Sequence, residues 1–379
     1  MVSAHVNALG VIFPNSYDSL VPELVTDRSM ASIPFASRYR MIDFPLSSMV
    51  NAGIDNVSIV VRKNYHSLMD HLGNGREWDL TRKNGGLNIV PPFASKAAKM
   101  YHGRIEALYS ILSFLQSQKE EYVIMSDANV ASTIDFKDLI QYHIDTGADV
   151  TIAYTDRPLS EDTLTNDDPN RDLYYTLELD GQRITDLRIM PRDLDVQHLS
   201  MNIYVVSRKL LISQIEDAYA KGYVYYERDV LLPHIRDWNV QGYEFTGYIA
   251  LIHSMRSYFE ENMRLLDEAN AEALFAEPVY TKIRDDTPTR YTNGSIASNA
   301  MVADGCVIEG TIENCILFRG VKVEKGAVVR NCILMQGTVV GQNAQMEYII
   351  TDKNVTISAR QFLKGSASFP VYINKGKVV

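Results

Sequence analysis

The sequence predicts an α/β domain with a mostly parallel sheet, followed by a smaller parallel β-helix. Two observations support this prediction. Short apolar, β-branched runs alternate with amphipathic helical segments over residues 1–270, which is the pattern of a sheet covered by helices. In residues 291–379, apolar side chains recur every six positions, which is the pattern of stacked β-helix coils. We therefore expect two domains, at 1–270 and 291–379, joined by a linker at 271–290.

The elements of the first domain follow from hydrophobic periodicity. Residues 6–13 form an apolar, β-branched run that predicts a buried first strand. Because strands alternate with helices, a candidate site is expected at the carboxyl ends of the parallel strands. Residues 73–100 are rich in Gly, Asn, Lys and Pro and predict a long loop. The other predicted strands lie at 56–61, 122–126, 149–154, 174–179 and 199–206, and the predicted helices at 46–52, 63–72, 101–115, 136–146 and 254–270.

The second domain is predicted from a change of period. Nine apolar side chains are spaced six apart in three runs, with glycine, asparagine or other small residues between them. A β-sandwich would instead alternate with a period of two and turn every 8 to 12 residues or so. We therefore expect a β-helix, in which each coil buries its apolar corners against its neighbours. The nine positions are Ile296, Val302, Ile308, Leu317, Val323, Val329, Leu334, Val340 and Met346.

Composition restricts the classes of partner and compartment. The formal net charge of −10 argues against nucleic acid or an anionic membrane as a partner. No apolar run reaches eighteen residues and no signal peptide is recognisable, so a cytoplasmic location is expected. The three cysteines, Cys306, Cys315 and Cys332, lack metal-type spacing and lie among apolar residues, so we expect small buried thiols.

Residues 33–47 read IPFASRYRMIDFPLS and carry a resemblance to a known family. This segment resembles the motif K-P-A-V-x-F-G-G-K-Y-R-I-I-D-F-x-L-S of the bacterial ADP-glucose pyrophosphorylases (glucose-1-phosphate adenylyltransferases). Residues 101–109 resemble their G-T-A-D-A helix start, and residues 199–206 their S-M-G-I-Y-V-F strand. The resemblance covers nearly the whole chain. It implies a Rossmann-like nucleotidyltransferase domain, a left-handed β-helix of hexapeptide repeats, and a role in glycogen synthesis.

The phosphate-binding loop of that family is altered here. The family reads G-G-R-G-T-R-L after its first strand, and its two leading glycines fall on Asn15 and Ser16. Its phosphate-contacting arginine falls on Leu20, and the lysine of its K-P pair falls on Met30. Glycine lets backbone N–H groups approach phosphates, and a basic side chain supplies charge. Residues 14–20 contain neither a glycine nor a cation, so we expect the triphosphate cradle to be lost.

The family's metal and sugar-phosphate ligands are also replaced. Its two Mg²⁺-binding aspartates fall on Asn129 and Leu251, and its sugar-phosphate lysine falls on Met190. Leucine cannot bind Mg²⁺, which takes oxygen ligands. Each such loss typically costs catalysis two or more orders of magnitude. We therefore expect a chain with no catalytic residues and no metal or cofactor, catalytically impaired or inactive by itself.

Some residues remain compatible with a pocket. By the resemblance, Gly103, Glu106 and Ser200 fall where the family lines its nucleotide and sugar sites. Structural roles explain them at least as well: Gly103 as the start of a helix, Glu106 as a surface acid and Ser200 as a hydroxyl on a strand. An alternative is an active transferase with a rebuilt site. In that case Asp127 would bind Mg²⁺, and Arg188 and Arg192 would partly replace the lost lysine, although solvated loop charges explain both arginines more simply.

A basic cluster near the N-terminal loop suggests an effector site. In the family, anionic sugar-phosphate activators bind basic residues between this region and the β-helix. Arg28, Arg38 and Arg40 are the candidates here. The simpler interpretation is that these charges are solvated or support the fold.

Three functional hypotheses follow. The first is a GlgD-type regulatory subunit that forms a hetero-oligomer with a catalytic paralogue, or associates with itself; the resemblance to the family implies a tetramer. The second is the rebuilt transferase. The third is a hexapeptide-repeat acyltransferase or a structural trimer. Such acyltransferases need a histidine as general base, whereas all eight histidines here lie at or before His253, outside the β-helix.

Overall fold

The computed structural model describes residues 6–92, 101–158, 174–192 and 195–379, and its centre is a nine-stranded sheet. The strand order is β5-β4-β1-β6-β11-β8-β12-β10-β9, and all strands except β10 and β11 run in the same direction. This confirms the mostly parallel α/β sheet. The strands before the β-helix are β1 Ala8–Phe13, β2 Pro34–Phe35, β3 Tyr39–Arg40, β4 Asn56–Val60, β5 Gly86–Val90, β6 Tyr122–Asp127, β7 Val130–Ser132, β8 Val150–Pro158, β9 Tyr175–Asp180, β10 Arg183–Ile189, β11 Val196–Ser207, β12 Val240–Glu244 and β13 Ile249–Leu251.

Helices cover both faces of this sheet. Alternate residues of β1 point to opposite sides: Leu9 and Val11 pack into one apolar cluster, and Ala8 and Ile12 into another. The first cluster includes residues of α3, α4 and α6, and the second includes residues of α1, α2 and α5. The α-helices of six or more residues in the described part are α1 Asp43–Asn51, α2 His66–Leu72, α3 Arg104–Ser110, α4 Leu112–Ser117, α5 Phe136–Asp145, α6 Arg208–Ala220, α7 Met255–Arg264 and α8 Glu268–Leu274.

Several predicted elements differ from the structure. The predicted loop at 73–100 contains the edge strand β5. This strand is short and lies in a segment rich in Gly and Asn, so the sequence showed no hydrophobic period there. Residues 93–100 of the predicted loop lie outside the described part. The predicted helix at 101–115 is interrupted at Ile111, between α3 and α4. The predicted helix at 254–270 is two helices, because the Asp267 side chain accepts a hydrogen bond from Asn270 N and starts α8.

The remaining strands form a parallel β-helix, as predicted. Strands of successive coils pair in parallel. Lys322 pairs with Val339 in the next coil, and Val339 pairs with Thr356 in the coil after that. Seven of the nine predicted core positions are buried, from Ile308 onward. Val302 is half-buried and Ile296 is 58% exposed, because β15 pairs with a strand on one side only. These strands are β14 Arg290–Tyr291, β15 Ile296–Val302, β16 Val307–Ile308, β17 Thr311–Leu317, β18 Lys322–Val323, β19 Val328–Arg330, β20 Ile333–Leu334, β21 Val339–Val340, β22 Gln345–Glu347, β23 Ile349–Thr351, β24 Thr356–Ile357, β25 Phe362–Lys364 and β26 Val371–Ile373.

The β-helix packs against the sheet domain through a shared core and a buried ion pair. Ile316, Ile333 and Ile350, one from each of three successive coils, join a cluster that contains Phe259 of α7. Beside it, the Arg28 guanidinium donates to both carboxylate oxygens of Asp352, at 2.6 and 2.7 Å. The three cysteines are buried free thiols, as predicted.

Candidate functional site

Three cavities surround the carboxyl ends of the central strands and the junction with the β-helix. The arginine cavity is lined at its base by Phe13, Arg104 and Asp127, at the ends of β1 and β6 and the start of α3. The central cavity lies beside it, around β7, β13 and the first half of β11. The basic cleft lies between the β2–β3 hairpin and the β-helix. The predicted site residues are distributed among these three places.

The loop after β1 is closed by its own side chains. The buried Asn15 amide donates to Asp18 Oδ2 at 2.9 Å and to Lys63 O at 3.0 Å, while its Oδ1 accepts from Arg62 N. Asp18 Oδ1 accepts from Met30 N at 2.8 Å, and the Met30 side chain is fully buried. A buried carboxylate therefore occupies the loop that would have to attract phosphates.

Arg104 dominates the arginine cavity. Its Nη2 lies 2.8 Å from Asp127 Oδ2, and its Nε lies 3.4 Å from Glu227 Oε1. The guanidinium is placed between the rings of Phe13 and Tyr204, with centroids at 4.8 and 5.2 Å. Sequence reasoning missed Arg104, although it follows Gly103 where the family pattern has threonine.

Both oxygens of Asp127 are engaged. Oδ2 faces Arg104, and Oδ1 accepts from Ser16 Oγ at 2.7 Å. Burial raises the pKa of Asp127 to about 6, against the opposing effect of Arg104. Burial works against the charge on Arg104, but Asp127 and Glu227 outweigh it and hold its pKa above the usual value. Asp127 is therefore paired with an internal cation, and the described residues contain no group of three or more His, Cys, Asp or Glu placed to hold a metal.

Gly103 has a packing role at the start of α3. A Cβ at this position would lie 2.4 Å from Val224 O, so only glycine permits this close approach. Two residues later, Ile105 N donates to Val224 O. Glu106 accepts from His102 N, which completes the first turn of α3. Gly103 lines the arginine cavity, whereas Glu106 stabilises the helix start beside it.

The central cavity brings together four residues that the sequence placed at the family's former site: Leu20, Asn129, Ser200 and Leu251. Strands β7 and β13 pair antiparallel, and Ile252 N donates to Asn129 O at 2.9 Å, so Asn129, the residue before β7, lies close to Leu251 of β13. No carboxylate is found among the described residues that line this cavity. An amide and an isobutyl group do not fit Mg²⁺, which requires carboxylate and other oxygen ligands.

The loop that follows β10 lies beside the central cavity rather than in it. Met190 has a positive φ of 52°, and its N–H donates to the carbonyl of Tyr174, which lines the cavity. Arg188 is exposed and paired with Glu178 at 2.6 Å. Arg192 is also exposed. Neither arginine is among the described residues that line the three cavities.

The basic cleft contains two of the three predicted effector residues. Burial makes it costly to keep these side chains charged. Together with neighbouring cations, it lowers the pKa of Arg40 to about 10 and the pKa of Lys353 to about 7. Arg28 lies outside the lining, in its ion pair with Asp352. Sequence reasoning missed four of the six cations, because they come from the segment before β14 and from turns of the β-helix. The cations of the cleft are Arg38, Arg40, Lys282, Arg284, Arg319 and Lys353.

None of the helices in the described part of the chain has the length and apolar character that crossing a membrane requires.

Comparisons with known proteins agree with this architecture. Residues 21–163 match the family model "Nucleotidyl transferase", and residues 284–363 match "GlmU-like, C-terminal hexapeptide". Over 98% of its length the chain is 34% identical to "Glycogen biosynthesis protein GlgD" of Bacillus subtilis (strain 168) and 35% identical to that of Geobacillus stearothermophilus, covering 96% of each. It is 30% identical to "Glucose-1-phosphate adenylyltransferase" of Geobacillus stearothermophilus over 85% of this chain and 83% of that protein.

Proposed function

This chain belongs to the nucleotidyltransferase family that contains the GlgD proteins and the glucose-1-phosphate adenylyltransferases, and on that premise we propose that it is a regulatory subunit, catalytically impaired by itself. Its partner is a catalytic paralogue that converts ATP and glucose 1-phosphate to ADP-glucose and diphosphate. The two chains form a cytoplasmic hetero-oligomer, as the resemblance to this family implies. The subunit acts by binding the active state of its partner more tightly than the inactive state.

The observation that carries this proposal is the central cavity. Adenylyl transfer brings several phosphate groups together, so a transferase must supply cations and hold Mg²⁺ with carboxylates. By the resemblance to that family, its carboxylates align with Asn129 and Leu251, and both of these residues line the central cavity. The fold around them is intact, including a buried ion pair between the two domains. A preserved architecture whose candidate reaction centre has no carboxylate among the described lining residues supports a role in assembly rather than in chemistry.

The basic cleft supports an effector site on this subunit. Six cationic side chains line it, and no carboxylate is among the described lining residues. An anion bound there would reduce the repulsion among these cations. Anion binding would therefore stabilise the packing of the elements around the cleft, and that packing would favour anion binding. Because the cleft lies at the junction of the two domains, an anion bound by both would favour one relative arrangement of them. We propose that a sugar-phosphate effector uses this cleft.

The test is to measure ADP-glucose formation by this subunit alone, by the catalytic paralogue from the same cells alone, and by the mixture. We expect no detectable product from this subunit alone. In the mixture, the rate or the apparent effector affinity should exceed that of the paralogue by about fivefold or more. If this subunit alone matches the rate of the mixture, the proposed division of labour is wrong.

A matched pair of variants tests the effector site in the same assay. Lys353→Met removes a cation of the cleft, whereas Lys325→Met removes an exposed lysine elsewhere on the β-helix. We expect the first variant to lower the effector response of the mixture and the second to leave it unchanged. Equal responses from the two variants would contradict an effector site in the cleft.

A further inference from the structure

A fourth cavity lies between α6 and the segment that follows it, residues 223–238, and we call it the α6 cavity. It shares none of its described lining residues with the three cavities considered above. Its volume is about 160 Å³, on a measure by which a single water needs about 10 to 15 Å³. The α6 cavity can therefore hold a small organic molecule.

One buried amide at this cavity has a donor without a partner. Gln214 lines the cavity and is only 6% exposed. Its Oε1 accepts from the hydroxyl of Tyr226 at 2.8 Å, whereas its buried Nε2 has no hydrogen-bond partner among the described residues. A buried donor without a partner is unfavourable, so a ligand that offers an acceptor would be stabilised here. An ammonium ion cannot meet this need, because it has no acceptor atom.

The charges at the α6 cavity oppose phosphorylated ligands. Asp217 and Asp229 line it, and no lysine or arginine is among the described lining residues. Asp217 is paired with Lys221 at 2.7 Å, and Asp229 is paired with Arg228 at 2.6 Å. Because both carboxylates already have a counter-ion, neither requires a cationic ligand, but a carboxylate has further lone pairs that accept from hydroxyl groups. An uncharged ligand with several hydroxyl groups therefore fits the charges best.

Two aromatic side chains give the cavity flat apolar surfaces. Trp238 and Tyr223 both line it, and the imidazole of His234 stacks on Trp238 with ring centroids 4.6 Å apart. His234 Nδ1 donates to the carbonyl of Val230 at 2.9 Å, which leaves Nε2 as an acceptor in the neutral imidazole. The C–H face of a pyranose ring packs on surfaces of this kind, while its hydroxyl groups both donate and accept hydrogen bonds.

The wall opposite α6 is held by its own hydrogen bonds. Residues Tyr226–Leu231 form a π-helical turn, a conformation that is rare and frequent at functional sites. Asp229 of this turn accepts from the backbone N–H groups of Val224 and Tyr225 at 3.0 and 2.9 Å. These bonds fix the carboxylate in place without a ligand, so the cavity is pre-formed.

We propose that the α6 cavity binds an uncharged pyranose unit, either a free monosaccharide or the end of an oligosaccharide. The ring packs against Tyr223 and Trp238, and one of its oxygens accepts from Gln214 Nε2. Hydroxyl groups of the sugar donate to Asp217 and to Nε2 of His234. This inference goes beyond the proposed function and does not depend on it, because the α6 cavity shares no described lining residue with the central cavity or the basic cleft.

The two tryptophans of the chain allow a local measurement of binding. The full chain is labelled with 5-fluorotryptophan, and its two ¹⁹F signals are assigned with the variant Trp238→Phe. Trp238 lines the α6 cavity, whereas Trp78 is buried and is not among the described lining residues. A ligand in the α6 cavity should therefore shift the Trp238 signal and leave the Trp78 signal in place.

Glucose, galactose, maltotriose, inorganic phosphate and putrescine are the probes. We expect at least one of the three sugars to shift the Trp238 signal saturably, with a Kd below about 10 mM. A tighter Kd for maltotriose than for glucose would identify the end of an oligosaccharide as the ligand, and equal values would identify a single unit. The absence of a saturable shift with all three sugars, or an equally tight response to phosphate or putrescine, would overturn the proposal.

Two variants with matched controls test the ligand contacts. Gln214→Leu removes the unpartnered donor and should weaken sugar binding by about tenfold, whereas Gln141→Leu, at an exposed position of α5, should not. Asp217→Ala removes an exposed carboxylate of the cavity and should weaken binding by about threefold or more, whereas Asp145→Ala, also exposed and on α5, should not. Wild-type affinity in both cavity variants would overturn the proposal. If Gln214→Leu does not fold, Asp217→Ala decides alone.

Discussion

At the scale of single residues, function depends on whether a few side chains carry charge. Asn129, just before β7, and Leu251 of the neighbouring strand β13 both line the central cavity, where two carboxylates would create a site for a divalent cation. The amide of Asn129 keeps the approximate shape of aspartate but lacks its negative charge. Leu251 lacks both the charge and the oxygen atoms.

Restoring the two carboxylates should restore metal binding. We expect the double variant Asn129→Asp/Leu251→Asp to bind Mn²⁺, because two carboxylates would then face one cavity. At a metal concentration about 100 times Kd, the stabilisation would be about 2.7 kcal/mol, readable as a rise in Tm. The matched control, Leu251→Asn in the natural background, has a similar shape without charge and should show no rise. An equal response from both would contradict this account of the cavity.

Lys353 should make anion binding depend on pH. Burial and neighbouring cations lower its pKa to about 7 from an unfolded value near 10.5. The folded state therefore carries a charged lysine below about pH 7 and a neutral lysine above it, and repulsion in the cleft is relieved as the pH rises. Stability should accordingly increase with pH between about 7 and 10.5, whereas anion affinity should decrease.

Sulfate is a suitable probe for this effect, because its charge is constant over the range. We expect its affinity to fall by about threefold or more between about pH 6 and pH 8.5, measured by calorimetry. Lys353→Met should weaken sulfate binding and reduce this pH dependence, whereas Lys325→Met, at an exposed position, should do neither. A wild-type affinity independent of pH would contradict the role of Lys353.

At the scale of elements, the start of α3 positions the arginine cavity. Gly103 precedes Arg104, and the backbone there passes close to the carbonyl of Val224. This approach places Arg104 against the rings of Phe13 and Tyr204. The loop after β1 approaches the cavity from the other side through Ser16. Two elements remote in sequence therefore share one carboxylate, Asp127.

Adding a methyl group at Gly103 should loosen this arrangement. Gly103→Ala would place Cβ at 2.4 Å from Val224 O, so we expect a destabilisation of about 1 to 3 kcal/mol in urea unfolding. His102→Ala changes an exposed neighbour and should cost no more than about 0.5 kcal/mol. A Gly103→Ala variant as stable as His102→Ala would contradict the close approach.

At the scale of the whole molecule, one buried ion pair joins the two domains. Arg28 follows the first strand, and Asp352 lies in the last coils of the β-helix. Asp352 also accepts from the hydroxyl of Tyr372 at 2.7 Å. Because Lys353 of the basic cleft is the next residue, an anion bound in the cleft lies next to the contact that fixes the domains together.

Breaking this pair should destabilise the chain more than removing an exposed charge. Asp352→Ala leaves the buried Arg28 guanidinium uncompensated, at a cost of about 3 to 5 kcal/mol in the free energy of unfolding. The control, Asp304→Ala, removes an exposed carboxylate of the β-helix and should change stability by no more than about 0.5 kcal/mol. Arg28→Met combined with Asp352→Leu should recover part of the loss, because no uncompensated charge remains.

The sequence by itself determined the fold class and the β-helix, and it predicted the replacement of the family's metal ligands. These properties depend on local periodicity and on residue type at motif positions, which can be read along the chain. It placed Leu20, Asn129, Ser200 and Leu251 in one site, and the structure brings them together at the central cavity.

Only the tertiary structure decided how the charges pair. Arg104 meets Asp127 and Glu227, Arg28 meets Asp352 instead of joining the cleft, and four further cations assemble with Arg38 and Arg40. The partners of these pairs are separated by tens to hundreds of residues, so no sequence period relates them. Whether a buried charge binds a ligand or is neutralised inside the protein depends on which distant side chain the fold brings to it.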